Sequence, residues 1–252
     1  MARDDYPASA NLFFSYAYRG RATRGLERFP LAKDRTGNIV IDSGAHSFFA
    51  VAGVSVTSGA NAQHRDVPID FEKYVRGYVE WLKLVYDKID FFVEVDIQEL
   101  VGQETVWRWR DLYSREGLGK KCIWVYHSGI GSGGVCDTYK DFERMVDESE
   151  SRYVGIEGKR KQKFQLPYVK MAKHAYDNDC RTHVFAAVVP ALMRRAPLYS
   201  TDSQSWGAGI QFGVVFRFDP KAGMMKMKPK ADAKTAVRYG PVSYTHLRAH
   251  ET

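Results

Sequence analysis

Five short segments of this chain run apolar and then stop at a side chain that can hold or move a proton. They are Asp42 after NIVI, Asp96 after FFVEV, His127 after CIWVY, Glu157 after YVGI and Asp202 after LYST. If the segments are parallel strands, all five groups gather at the rim formed by the strand C-termini, where α/β proteins bind ligands. A single Asp after a strand often does no more than cap the next helix. A set of carboxylates at one rim permits two kinds of chemistry. One carboxylate can attack an anomeric carbon while a second handles the proton of the leaving group. The same set can instead hold Mg²⁺ for phosphoryl chemistry.

The elements that must position these groups are legible as alternating strands and helices. Strands are expected at Asn11–Ala17, Asn38–Ile41, Phe91–Val95, Cys122–Tyr126, Tyr153–Ile156, His183–Val189 and Leu198–Thr201. Gln211–Phe218 reads as a further strand or half of a hairpin. Phe71, Tyr74, Val75, Tyr78, Leu82 and Val85 recur at helical spacing, so Asp70–Lys88 is an amphipathic helix. Helices also follow at Gly102–Glu116, Asp137–Ser149, around Leu166, Val169, Ala172 and Tyr176, and at Pro190–Arg195. Trp107 and Trp109 fall on opposite sides of their helix, which leaves one of them exposed or under a loop. Asp96, His127 and Glu157 are 31 and 30 residues apart, the length of one strand–helix unit. Short, continuously apolar strands imply a parallel sheet covered on both faces. The expectation is an α/β fold, a (β/α)8 TIM-type barrel, with an open doubly wound sheet as the alternative.

Composition sets the outer bounds. With 44% hydrophobic and 27% charged residues, the 252-residue chain is neither mainly disordered nor fibrous. It has no run of 18 apolar residues and no apolar N-terminal leader, so a cytoplasmic protein without a membrane span is expected. Cys122, Cys136 and Cys180 are odd in number and widely spaced, which fits a reducing compartment and no zinc cluster. The net charge of +7 allows a polyanionic partner or simply solvated surface. Its basic concentrations are Lys159–Lys163, Arg194–Arg195 and the lysine-rich stretch Lys221–Lys234. Gly129–Gly134 (GIGSGG) lacks the spacing of a dinucleotide fingerprint and reads as a loop. His183 is expected to pack inside the fold. His127 can orient a phosphate or hydroxyl, or be a satisfied histidine at a strand end.

Residues 242–252, VSYTHLRAHET, resemble the translation of a transposase-type sequencing adapter. On that reading His246 and His250 are not ligands, residues 1–241 form one barrel domain, and the natural chain continues further, leaving the barrel truncated at its C-terminus.

Four ordered segments carry a family resemblance. Val40-Ile-Asp-Ser-Gly-Ala45, with His46-Ser-Phe48, resembles the Asp-Ser-Gly-Gly-Phe-Gln motif of tRNA-guanine transglycosylases. It is closer to the Asp-Ser-Gly-Ala-Phe-Ser form of the phage and bacterial DNA 7-deazaguanine transglycosylases. Tyr126-His127 resembles their Phe-His, and Tyr153-Val-Gly-Ile-Glu-Gly158 resembles Tyr-Ile-Gly-Leu-Gly-Gly. His183-Val-Phe, followed by Pro197-Leu-Tyr-Ser-Thr-Asp-Ser-Gln-Ser-Trp206, resembles their His-Gly-Phe, then Pro-Phe-Tyr-Ser-Val-Asp-Ser-Thr-Ser-Trp. The resemblance spans Asn38 to Trp206. It implies exchange of guanine in a nucleic acid, DNA before tRNA, for a 7-deazaguanine base such as preQ0. By carry-over, Asp202 is the nucleophile, Asp42 transfers protons, and Asp96 binds the guanine Watson–Crick edge. Ser43, Gly44, His127 and Gly158 are substrate-binding, the last through its backbone N–H. No cofactor and no metal ligand are implied, and zinc enters only if a longer C-terminus carries the three Cys and one His of the tRNA enzymes. For a phage-encoded protein the compartment is the host cytoplasm. Two residues depart from the pattern: His46 stands for the family's Phe, and Glu157 for the first Gly of the Gly-Gly pair. The remaining alternatives are a barrel that binds nucleic acid without catalysis and an unrelated metal-dependent barrel hydrolase. The oligomeric state is not encoded in any of these motifs.

Overall fold

The computed structural model describes residues 11–27, 37–45, 48, 69–127, 137–157, 166–186, 190–202, 214–219 and 224–229. Seven strands alternate with helices: β1 (Leu12–Ser15), α1 (Arg19–Leu26), β2 (Ile39–Asp42), α2 (Phe71–Val85), β3 (Phe91–Val93), α3 (Gln98–Val101), α4 (Gln103–Arg115), β4 (Cys122–Tyr126), α5 (Tyr139–Glu148), β5 (Tyr153–Ile156), α6 (Leu166–Asp177), β6 (Arg181–Val184), α7 (Pro190–Met193) and β7 (Ser200–Thr201). All pairings in this sheet are parallel, and the strands lie side by side in chain order. Chain-order winding excludes the doubly wound alternative, whose strand order reverses at a switch point.

The sheet curls strongly, into a half-barrel. Phe13 on β1 and His183 on β6 have ring centroids 6.4 Å apart. Five strand steps at ~4.8 Å each would separate them by roughly 24 Å in a flat sheet. Inside the curl, Phe91, Tyr153 and Tyr199 meet edge to face, with centroids 4.9 and 5.4 Å apart. They come from the starts of β3 and β5 and the residue before β7, so alternate strands supply one layer, as in barrel interiors.

The outer layer follows from helical periodicity. α2 buries Val75, Tyr78, Val79, Trp81, Leu82 and Val85, each worth about 1.5–3 kcal/mol when fully covered. Asp70 caps it by accepting from Lys73 N at 2.9 Å. α5 opens with a capping box between Thr138 and Asp141. α4 buries Val106, Trp109 and Tyr113 as expected, together with Arg110. Trp107 is not left exposed: the guanidiniums of Arg110 and Arg144 lie 4.3 and 3.8 Å from its ring.

Arg110 answers a charge that the reading of FFVEV as a plain strand passed over. Glu94 is fully buried. It accepts from Arg110 Nε and Nη2 at 2.8 and 2.7 Å and from Val125 N at 2.6 Å.

Several expectations shift. Tyr176 does not belong to the covered face of α6. It is 66% exposed, and the buried residues are Tyr168, Met171, Ala172 and Ala175. The covered stripe is therefore one residue earlier than the apolar pattern suggested. β6 runs from Arg181 to Val184 rather than to Val189. Of the two readings of Gln211–Phe218, the described residues Val214–Phe218 take the hairpin one. Val214–Asp219 (β8) pairs antiparallel with Met224–Pro229 (β9) in a separate two-stranded sheet. No described helix is long and apolar enough to cross a membrane.

Candidate functional site

Each of the five groups lies at or just past the C-terminal end of its strand, and the curl of the sheet brings them into one mouth. Asp42 closes β2. Its Oδ2 accepts from Gly44 N at 3.1 Å, and its carboxylate also bonds the Ser15 side chain at the end of β1. Burial first, then the charge of Asp96 and, more weakly, that of Asp202, push its pKa up to about 6.

Ser43 and Gly44 build the turn beneath Asp42. Ser43 is fully buried. Its Oγ accepts from Ala45 N at 3.3 Å, and its carbonyl accepts from Tyr74 OH at 2.6 Å. Gly44 has φ +78°, and a Cβ there would sit 2.7 Å from Ala17 Cβ. Only glycine meets both demands without strain.

His127 is clamped between two carboxylates. Nε2 lies 2.9 Å from Asp96 Oδ2, and Nδ1 lies 3.5 Å from Glu157 Oε2. Burial pulls its pKa down. Hydrogen bonds and charge from Asp96 and Glu157 outweigh that and hold it up to about 10. At neutral pH the group is therefore an imidazolium that neutralises one of its two neighbours. The backbone behind it is fixed as well: Asp137 Oδ2 accepts from His127 N at 2.8 Å and from Gln98 Nε2 at 3.1 Å. Glu157, the departure from the Gly-Gly pair, thus forms a local ion pair.

Asp202 follows β7. Its Oδ1 accepts from Ala186 N at 2.7 Å, and His183 Nε2 lies 3.4 Å from the same oxygen. Burial raises the Asp202 pKa, but the histidine and the backbone N–H outweigh it and hold the carboxyl below its ordinary value. Ala186 adopts φ 54°, a left-handed conformation uncommon outside glycine, in order to present that N–H. His183 is buried, as expected of a packing residue, yet it also backs Asp202. Its Nδ1 lies 2.6 Å from Ser200 Oγ, which contacts Tyr153 OH at 2.5 Å. Ser200 Oγ thus ties His183 to Tyr153 behind Asp202.

Two functional neighbours were missed from sequence, Ser15 and Ala186. Ser15 ends an apolar strand in the same way as the five chosen groups, and that position was its signal. Ala186 had none, because a backbone donor is not visible in residue type. Gly158, His46 and Trp206 lie outside the described residues, as do the Gly129–Gly134 and Lys159–Lys163 segments. Among the described residues no group of three His, Cys, Asp or Glu side chains is arranged to hold a metal ion. Comparison with known protein families, curated proteins and solved structures returns no match to this chain.

Proposed function

We propose that the chain exchanges a guanine base in nucleic acid, DNA before tRNA, for a 7-deazaguanine such as preQ0 through a covalent sugar–carboxylate intermediate. The observation that carries this reading is the opposed setting of two carboxylates in one mouth. Asp42 is held near pKa 6 and Asp202 is held below the ordinary range. Such a split divides one pair of acids into a proton carrier and an ionised nucleophile. An Asp202 oxygen attacks C1′ of the nucleotide, and the C1′–N9 bond breaks. Guanine leaves with that electron pair and takes a proton from Asp42. The incoming base then gives its N9 proton to Asp42 and attacks C1′, which frees Asp202. Asp96, fixed by the His127 imidazolium, accepts from the N1–H and 2-amino groups of the bound base. The exchange balances without a cofactor. On this reading the half-barrel is the larger part of a (β/α)8 barrel closed by a further unit.

Radiolabelled guanine incubated with the protein and duplex DNA, or separately with tRNA, tests the reading. Label retained in DNA by the wild type and lost with Asp202→Ala is the expected result. Label only in tRNA moves the substrate to the RNA branch, and no label in either refutes the exchange.

A further inference from the structure

The mouth carries Asp42, Asp96, Glu157 and Asp202, and that much negative charge repels a polyanion. A nucleic acid needs a basic flank to bring its sugar this close. The described residues contain one directly beside Asp42. α1 follows β1 after only three intervening residues, so its first turn begins at the same rim as Ser15. It reads Arg19-Gly-Arg-Ala-Thr-Arg24 and has no acidic residue in its first turn. Tyr18, Arg19, Arg21 and Arg24 are all exposed, and with Ala17 and Gly20 they line a shallow open depression. Ala17 packs against Gly44 beneath Asp42, so the depression opens next to the proton carrier.

Arg19 and Arg21 sit in the first turn of α1, where their charge is costly unless something anionic answers it, while Arg24 is in the last turn. A helix N-terminus carries the positive end of the macrodipole, and cations there are unfavourable. Arg19, Arg21 and Arg24 form no ion pair among the described residues; Arg19 only lies over the Tyr16 ring, at 5.5 Å. Tyr18 stands 66% exposed beside the arginines in the same depression, available as a stacking platform. Arginine next to an exposed aromatic ring is the chemistry that holds an unpaired strand: phosphates on the guanidiniums and a base on the ring.

We infer that Arg19, Arg21 and Arg24 seat the phosphodiester backbone of a locally unpaired strand, and that Tyr18 stacks on a base beside the nucleotide delivered to Asp42 and Asp202. This rests on the base-exchange reading for the identity of the delivered nucleotide. It extends that reading by naming the surface and the strand form. A base that reacts inside the mouth cannot remain in a duplex stack, so the strand must be held on the outside while its base is out.

The test measures binding of a fluorescein-labelled single-stranded oligodeoxynucleotide containing one guanine, and of an RNA of the same sequence, across a salt series. With the triple variant R19A/R21A/R24A, the slope of log affinity against log salt falls in magnitude by about 2, since each phosphate neutralised on a single strand contributes roughly 0.7. The triple lysine variant keeps the slope. Tyr18→Ala weakens binding and leaves the slope unchanged. If the triple variant does not fold, R21A and R24A carry the same test singly, each with a loss of about 0.7. An unchanged slope in the folded alanine variants overturns the proposal. A loss for RNA alone assigns the strand to RNA and still supports it. In the wild type, absent base exchange together with an intact arginine effect refutes the chemistry and not the surface.

Discussion

Replacing His127 with glutamine should make the protein's stability less dependent on pH above neutrality. In the folded state the imidazole pKa is held at about 10, against 6.5 for the free side chain. A group whose pKa rises on folding stabilises the fold fully below its unfolded pKa and loses that contribution as pH climbs through the folded value. The window is therefore pH 6.5 to 10. The shift converts to about 5 kcal/mol at most, at 1.36 kcal/mol per unit. The Asp96 and Glu157 side chains are 20% and 33% exposed, and solvent screening of them brings the expectation to roughly 2–3 kcal/mol. Urea unfolding of wild type and H127Q across the window measures it: the wild-type curve should fall toward that of the variant as pH rises. The histidine Cε1–H resonance should titrate near the same upper limit. Parallel stability curves, or an imidazole titrating near 6.5, would refute the clamp.

Four further outcomes follow from the geometry. Glu94→Ala leaves the Arg110 guanidinium buried without its carboxylate and should cost about 3–5 kcal/mol in urea unfolding, whereas Glu94→Leu combined with Arg110→Met should recover most of it. Gly44→Ala should cost about 1–3 kcal/mol, because it meets both a positive φ and the Ala17 Cβ; Ala17→Gly should restore only the steric part. Ala186→Gly should relieve a left-handed non-glycine residue by about 1 kcal/mol, a gain readable as a raised melting temperature. If base exchange occurs, its pH–rate profile should carry a limb near pH 6 that Asp42→Asn abolishes, and a profile flat through that region would remove Asp42 from the proton path.

The strands were the most legible part of the fold, because a parallel sheet buried on both faces writes itself as continuous apolar runs. Cys122–Tyr126 and Tyr153–Ile156 match the structure to the residue. α1 escaped because RGRATRGL buries only Ala22 and Leu26, too thin a stripe to register as periodicity. Glu94 escaped for the opposite reason. One charge inside an apolar run passed as noise, although a buried carboxylate demands a partner and Arg110 stood on the covered face of the next helix. At the site, residue type at strand ends located Asp42, Asp96, His127, Glu157 and Asp202. It did not reveal which histidine backs which carboxylate, because those pairings join side chains 31 and 30 residues apart around His127 and 19 between His183 and Asp202.

Strand order carries a consequence for how the protein is made. Each strand of the curled sheet pairs with the one just synthesised, as Leu12 with Ile39, Phe92 with Cys122 and Tyr153 with Arg181. A nascent chain leaving the ribosome can therefore lay down its sheet one unit at a time, without waiting for a distant segment. The acids arrive in the same sequence, with Asp42 first and Asp202 last. The oxygen that would attack the sugar is seated only when β7 docks beside β6 and brings Ser200 to His183. Until then the growing protein lacks the carboxylate proposed as nucleophile, so on the base-exchange reading assembly withholds reactivity until β7 is in place.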